Sequence, residues 1–167
     1  MKHLKILGGL LIAYALNSCS LFGDSNPSLP AETQNGAETF GCLINGKVFE
    51  AKEVRKDYDG GIMIGGTNKE ELSVLFFIDK VDKTGTYFYN GIDFLRSLNW
   101  NGCSYGVSGR PLSGKVEITK FERGEDKANN LKWLIVSGRF EGVIISRDLG
   151  CKDTLRITQG RFDVKFN

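Results

Sequence analysis

The sequence predicts an all-β protein, a single antiparallel β-sandwich or meander of about eight or nine strands. Three observations support this class. Segments rich in β-branched and aromatic residues recur along the chain, clusters of Gly, Asn and Asp separate them, and no segment has a sustained helical repeat with caps. A closed lipocalin-like barrel is the alternative, because about eight strands can also close on themselves.

The first hairpin is predicted at Asn45-Gly46. This pair lies between the apolar segments TFGCLI and KVFEA. Asn-Gly is the strongest short hairpin signal, because both turn residues must accept a positive φ angle. We therefore expect two antiparallel strands at the start of the domain.

Five further segments read as strands. In the last of them, residues 154–166, apolar and charged side chains alternate. Phe162, Val164 and Phe166 share one face, while Asp163 and Lys165 share the other, as in a half-buried strand. The first segment, residues 72–78, is apolar on both faces apart from Ser73, which predicts a strand that is buried on both faces. The segments are LSVLFFI (72–78), GTYFYN (85–90), GKVEITKF (114–121), LKWLIVSGRFEGVII (131–145) and TLRITQGRFDVKF (154–166).

The first 18 residues read as a targeting signal. A basic start is followed by the apolar run 6–16, which is shorter than the roughly 20 residues of a membrane span. Leu16-Asn17-Ser18 then precedes Cys19 directly, which resembles the lipobox of a bacterial lipoprotein. That resemblance implies cleavage after residue 18 and a lipid on Cys19 that holds the chain at a membrane.

Residues 19–38 predict a flexible lipidated tether, and residues 39–167 the antiparallel β domain. The tether segment contains two of the three prolines and few large apolar residues. Such a composition buries too little surface to offset its ordering entropy. The domain that follows is long enough for one modest core.

Loss of the signal changes the charge and the chemistry of the chain. Two of the 22 basic residues and the only histidine lie within residues 1–18, so 20 basic residues face 20 acidic ones afterwards. A neutral chain without a Lys/Arg cluster argues against nucleic acid as a partner. Without histidine, the usual triads and general bases are missing, so we expect no enzyme, metal or cofactor. Asp57 and Asp59 lie in the segment DYDGG, which is more typical of a turn than of a calcium site.

With Cys19 lipidated, three cysteines remain for pairing. Cys42 and Cys151 each follow a glycine and lie near opposite ends of the domain. Terminal strands of a sandwich are often neighbours, so a Cys42–Cys151 disulfide is predicted, with Cys103 as the free thiol. The alternative is that all three cysteines stay reduced and buried.

Two echoing segments, GRFEG (138–142) and GRFDV (160–164), allow two interpretations. Arg139 and Arg161 could form a duplicated anion clamp. Alternatively, both segments are strands with Phe inward and the charges outward in a cross-strand ladder. The alternation favours the ladder.

Three functions follow from these features. The favoured one is a non-catalytic binding or interaction module of the cell envelope, at the outer membrane, with an envelope protein or glycan as partner. Its contact or core aromatics would be Tyr87, Tyr89, Trp100, Tyr105 and Trp133. The alternatives are a carrier with an apolar barrel cavity, lined by Leu75 and Phe77 or by Leu134 and Val136, and a hydrolase that uses carboxylates only.

The segments LPAETQNGAETFGCLINGKVF (29–49), VSGRFEG (136–142) and LRITQGRFDVKF (155–166) resemble a family of uncharacterised Bacteroidota lipoproteins. The shared features are a Thr-Phe-Gly-Cys hairpin start and a Gly-Arg-Phe-Asp final strand. The match covers both ends of the domain and little of its middle. The resemblance implies an all-β envelope lipoprotein and implies no activity.

Overall fold

The computed structural model describes residues 28–59, 61–88, 92–94, 97–100, 103–106, 110–146 and 154–167. These residues form twelve strands and no helix. The strands are Thr39–Ile44 (β1), Lys47–Glu50 (β2), Glu53–Tyr58 (β3), Gly61–Thr67 (β4), Ser73–Asp79 (β5), Gly85–Phe88 (β6), Ile92–Phe94 (β7), Ser97–Trp100 (β8), Cys103–Gly106 (β9), Arg110–Asp126 (β10), Leu131–Ile145 (β11) and Thr154–Phe166 (β12).

The strands form antiparallel sheets of six, four and two strands. The six-stranded sheet has the order β2-β1-β12-β11-β10-β6, and the four-stranded sheet has the order β3-β4-β5-β7. Strands β8 and β9 form the small sheet. The all-β antiparallel prediction is confirmed. The closed-barrel alternative is wrong, because β2 and β6 are separate edges of the large sheet in the described part of the chain.

The two larger sheets pack face to face around aromatic side chains. Phe76 of the four-stranded sheet lies 5.3 Å from Phe140 and 5.4 Å from Phe162 of the six-stranded sheet, measured between ring centroids. Phe40 stacks on Phe140 at 4.9 Å. Leu134 and Val136, which the carrier hypothesis placed at a cavity, belong to this packed core. These rings are part of a larger apolar core, whose burial is the dominant favourable contribution to folding.

Local sequence signals agree with the structure at several elements. Asn45 and Gly46 have φ angles of 49° and 79° and connect β1 to β2, as predicted. Strands β11 and β12 begin and end at the predicted residues. On β5, Val74, Phe76 and Ile78 are buried and the alternate residues are half-buried. Leu75 and Phe77 are therefore not on the core face of that strand.

Residues 30–38 were predicted as part of the flexible tether, and the structure corrects this. They lie along the outer face of the six-stranded sheet, hydrogen-bonded to Asp163, Arg139 and Arg161 of β11 and β12. We call residues 30–38 the strap. The strap donates hydrogen bonds to the polar face of β12, which would otherwise contact water. The strap therefore belongs to the folded domain.

Candidate functional site

Asp163 holds the strap. The sequence places its side chain on the polar face of β12, yet the residue is only 1% exposed. Its carboxylate accepts hydrogen bonds from Oγ1 of Thr33, from the backbone N–H groups of Asn35, Gly36 and Ala37, and from Oγ of Ser137. All five donors lie 2.7 to 3.0 Å from its oxygens.

The pKa of Asp163 follows from this arrangement. Burial by itself raises the pKa of a carboxyl group. The hydrogen bonds from Ser137, Ala37, Thr33 and Gly36 together lower the pKa by more than burial raises it, so the pKa of Asp163 lies below its ordinary value. The carboxylate is therefore an ionised structural anchor. A general acid would need a raised pKa, so this group is unsuited to acid catalysis.

The two echoing arginines are neighbours, but they do not form a duplicated clamp. Arg139 and Arg161 lie directly opposite each other on β11 and β12. Nη2 of Arg139 donates to Oε2 of Glu32 at 2.6 Å, and Nη1 of Arg161 donates to the carbonyl oxygen of Pro30 at 3.0 Å. The strap thus supplies partners for both guanidinium groups.

The acids of the two echoes differ in role. Asp163 is buried under the strap, whereas Glu141 is exposed and forms a 3.0 Å ion pair with Lys115. The hydrogen bond from Arg139 lowers the pKa of Glu32, and the same bond raises the pKa of Arg139. The Lys115–Glu141 ion pair crosses from β10 to β11 as the ladder interpretation predicts. The partners of Arg139 and Arg161 instead come from the strap, and Asp163 is buried beneath it.

The cysteines contradict the predicted disulfide. Cys42 is a free thiol with no exposed surface, and its burial raises the pKa of the thiol to about 12. It lies on the core face of β1, packed among apolar side chains. Cys103, predicted as the free thiol, is disulfide-bonded. Cys19 and Cys151 lie outside the described residues.

The predicted aromatic residues are distributed over core and surface. Tyr105 is buried, and Tyr87 packs against the core and donates a 2.9 Å hydrogen bond to the carbonyl oxygen of Lys83. The side chains of Tyr89 and Trp100 lie outside the described part of the structure. Trp133 is half-buried at the end of the six-stranded sheet where the best candidate site lies. Its alternation along β11 puts its side chain on the outer face of the sheet, the face that also carries Ser137 and Arg139.

This site is a cleft of about 350 Å³ at the end of the sandwich, which we call the end cleft. It forms because the β10–β11 hairpin is longer than β12. Pairing between β11 and β12 stops at Leu134, which lies opposite Phe166. Residues 131–133 of β11 therefore extend beyond the end of β12. Strand β3 contributes the opposite wall. The lining residues are Lys56, Asp57, Tyr58, Arg123, Lys132, Trp133, Leu134, Phe166 and Asn167.

Arg123 is the central cation of the end cleft. Its guanidinium carbon lies 5.4 Å from the ring centroid of Tyr58 and 5.2 Å from that of Phe121. Its Nη2 donates a 2.6 Å hydrogen bond to the hydroxyl of Tyr58. The Tyr58 ring packs in turn against Phe166 at 6.1 Å. Among the described residues Arg123 forms no ion pair, and its guanidinium is held by the rings of Tyr58 and Phe121 and by the Tyr58 hydroxyl.

The indole of Trp133 covers Gly124 of the neighbouring strand. A Cβ atom on Gly124, its partner on β10, would lie 2.1 Å from Cζ2 of the indole. Nζ of Lys165 lies 5.6 Å from the centre of the Trp133 ring. Glycine at position 124 is thus needed for the close approach of the indole.

No pattern in the sequence identifies Tyr58 or Arg123 as part of a site. Arg123 stands in the charged segment KFERGED, which is typical of a solvated strand end, and Tyr58 precedes a turn. Gly124 opposite Trp133 is the one feature from which close packing at this end could have been predicted. Asp57, considered for calcium, is an exposed residue on the wall of the end cleft.

Within the described part of the chain, no group of three or more His, Cys, Asp or Glu residues is arranged to hold a metal ion. The same part contains no helix that is long and apolar enough to cross a membrane. No protein-family model, curated protein or solved structure matches the chain.

Proposed function

We propose that this chain is a non-catalytic binding module of the cell envelope, held at the outer membrane by a lipid on Cys19, and that the end cleft is its contact site. The observation that carries the proposal is Arg123. This cation is fixed against two aromatic rings, has no acidic partner among the described residues, and lies in a cleft that Tyr58 and Phe166 also line. Binding sites combine aromatic anchors with a few oriented polar groups in this way.

The charged groups elsewhere support binding in preference to catalysis. Asp57 is the only acidic side chain that lines the end cleft. A second cleft on the outer sheet face, of about 380 Å³, contains Glu32, Glu117 and Glu141 beside three cations. The pKa of Glu32 is lowered there, whereas hydrolysis by a carboxylate pair requires one acid with a raised pKa.

The anchor is proposed from the lipobox-like LNSC segment and from the resemblance to Bacteroidota lipoproteins. Cys42 and Cys103 are both accounted for within the fold, the first as a buried thiol and the second in a disulfide. Full-length protein and its Cys19→Ser variant should be expressed in a Gram-negative host. We expect the parent to carry acyl chains by mass spectrometry and to partition with membranes. Membrane partition of an unacylated Cys19→Ser variant would contradict the anchor.

The contact site is tested with the chain from position 19, made soluble by Cys19→Ser. Titration calorimetry is carried out with acidic glycans, neutral glycans, peptides and anionic vesicles. We expect saturable binding of one of these classes, and its loss in Arg123→Gln. Arg55→Gln, at an exposed position outside the cleft lining, is the matched control and should bind as the parent does. Binding that survives Arg123→Gln would place the contact site elsewhere.

A further inference from the structure

We propose that the second cleft, on the outer face of the six-stranded sheet, binds a short peptide by its two charged ends, with the carboxylate at Arg161 and the ammonium group at Glu117. This cleft of about 380 Å³ lies beside the strap, and we call it the outer cleft. The inference goes beyond the proposed function, because it assigns a ligand to a site other than the end cleft.

The charged groups of the outer cleft lie on one face of the sheet. Glu117 of β10 is directly opposite Arg139 of β11, and Arg139 is directly opposite Arg161 of β12. Residues that are opposite each other in an antiparallel sheet point to the same side. The strap binds Arg139 and Arg161 on the outer side, so Glu117 points to the outer side as well. One ligand can therefore lie across the whole row.

Four of the six charged side chains that line the outer cleft neutralise one another. Nη2 of Arg139 lies 2.6 Å from Oε2 of Glu32. Nζ of Lys115 lies 3.0 Å from Oε1 of Glu141, its partner across β10 and β11. These two ion pairs have no uncompensated charge to offer to a ligand.

The two charged side chains that remain are Arg161 and Glu117, which form no ion pair in the described part of the chain. Nη1 of Arg161 donates to the carbonyl oxygen of Pro30, an acceptor without charge, at 3.0 Å. Its Nε is buried and has no hydrogen-bond partner among the described residues. Buried donors without a partner are rare in folded proteins, so the protein itself does not fully satisfy this guanidinium.

The balance of charges in the outer cleft favours a ligand with charges of both signs. A simple anion that approached Arg161 would also approach Glu32 and Glu141, which line the same cleft. A simple cation that approached Glu117 would meet Arg139 opposite it. A zwitterion has no net charge, and each of its ends can meet an uncompensated group of opposite sign.

The spacing of the two groups selects the length of the ligand. Arg161 is on β12 and Glu117 is on β10, and β11 lies between these strands. Neighbouring strands are about 4.8 Å apart, so about 10 Å separates the two backbones. Three extended residues span at most about 10–11 Å, so the two ends of a tripeptide can reach both groups. The amine and the carboxylate of a single amino acid are attached to one carbon and cannot.

The β12 wall of the outer cleft has a strained backbone and an exposed amide. Gln159 lines the cleft and has a φ angle of 52°, although it is not a glycine. It lies where the register of β11 and β12 shifts between Phe140 and Gly142. Strain of this kind and bulges in strands are concentrated at functional sites. The exposed side-chain amide of Gln159 can both donate to and accept from a peptide backbone.

The test uses trialanine as the probe, together with its N-acetyl form, its C-terminal amide and the form that is blocked at both ends. Binding to the mature chain with Cys19→Ser is followed through the backbone N–H signals in two-dimensional NMR spectra. We expect trialanine to bind about threefold or more tightly than either singly blocked form, and the doubly blocked form to bind least. Alanine, whose two charges are closer together, should bind more weakly than trialanine.

Two variants assign the two ends of the peptide. Arg161→Gln should remove the preference for a free carboxylate, so trialanine and its amide should bind alike, and Arg161→Lys should restore part of that preference because it keeps the charge. Glu117→Gln should remove the preference for a free amine and keep the preference for a free carboxylate. Arg55→Gln, at an exposed position outside the outer cleft, is the matched control and should bind each form as the parent does.

The other outcomes contradict the inference in different ways. Equal binding of all four forms, or an effect of one terminus only, would overturn the zwitterionic ligand. Binding of alanine or of glycerophosphocholine as tight as that of trialanine would overturn the peptide. Binding that is lost in Arg123→Gln and kept in Arg161→Gln would place the peptide in the end cleft, which overturns this inference and supports the proposed function.

Absence of any binding of trialanine would overturn this inference and leave the proposed function standing. Thermal unfolding of each variant identifies loss of folding. Arg161 also holds the strap through Pro30, whereas Glu117 is exposed, so Glu117→Gln keeps the test decisive if Arg161→Gln loosens the strap.

Discussion

Oγ1 of Thr33 donates a 2.7 Å hydrogen bond to Oδ2 of Asp163, although 130 positions separate the two residues. This contact, with the backbone donors that follow it, joins the strap to the last strand of the chain. The strap in turn supplies Glu32 to Arg139 and Glu38 to Lys56. A segment with the composition of a tether is thus part of the domain, and it reaches the wall of the end cleft.

Asp163→Asn should destabilise the protein by about 2–4 kcal/mol, because an amide NH₂ group would replace one acceptor oxygen in a buried site where donors surround both oxygens. Urea unfolding followed by circular dichroism measures the change. Asp79→Asn, at an exposed end of β5, should remain within about 0.5 kcal/mol of the parent. Equal stability of the two variants would show that Asp163 does not hold the strap.

Acidic pH should lower the free energy of unfolding of the parent more than that of Asp163→Asn. The pKa of Asp163 is lowered in the folded state, so the carboxylate contributes stability above its unfolded pKa of about 3.9 and loses that contribution as the pH falls through the folded pKa. We expect the difference in unfolding free energy between parent and Asp163→Asn to shrink below about pH 4. Unfolding in urea at pH 6 and at successive values down to pH 2.5 tests this. A difference that stays constant would contradict it.

Gly124→Ala should displace Trp133, because the added methyl group would lie 2.1 Å from the indole carbon Cζ2. Such overpacking costs about 1–3 kcal/mol. Tryptophan emission should shift as the indole moves away from Gly124. Glu125→Ala, at the next and exposed position, is the control. An unchanged emission spectrum in Gly124→Ala would contradict the packing described for Trp133.

Cys42 should react with iodoacetamide only after unfolding. In the folded protein its thiol is buried and its pKa is raised to about 12, so almost no thiolate exists at neutral pH. Alkylation in denaturant without reductant, followed by peptide mass spectrometry, should label Cys42 and leave Cys103 unlabelled. Recovery of a Cys42–Cys151 disulfide peptide would contradict the structure and restore the pairing expected from the sequence.

The fold could be predicted where the signals are local. The Asn45-Gly46 turn requires positive φ angles, and the alternation in β12 identifies its buried face. Four strands lack such signals: β3 alternates between exposed and half-buried residues, and β7, β8 and β9 are only three or four residues long. Strand pairing across the chain leaves little trace in a short segment.

The candidate site could be predicted only in part. Trp133 was among the aromatic contacts expected from the sequence, whereas Tyr58 and Arg123 meet across 65 positions through tertiary structure alone. The buried state of Asp163 likewise depends on a distant segment. Its alternation with Phe162 and Val164 indicates a solvent-facing side chain, and that expectation holds only if nothing covers the face.

The central claim, that the end cleft binds the ligand, is tested most directly by the arginine side-chain Nε–H signals in two-dimensional NMR spectra. The signal of Arg123 is assigned by its loss in Arg123→Gln. Addition of the ligand class that binds by calorimetry should move the Arg123 signal in a saturable manner and leave that of Arg55, which lies outside the cleft lining, in place. A ligand that binds by calorimetry while the Arg123 signal stays unmoved would contradict the claim.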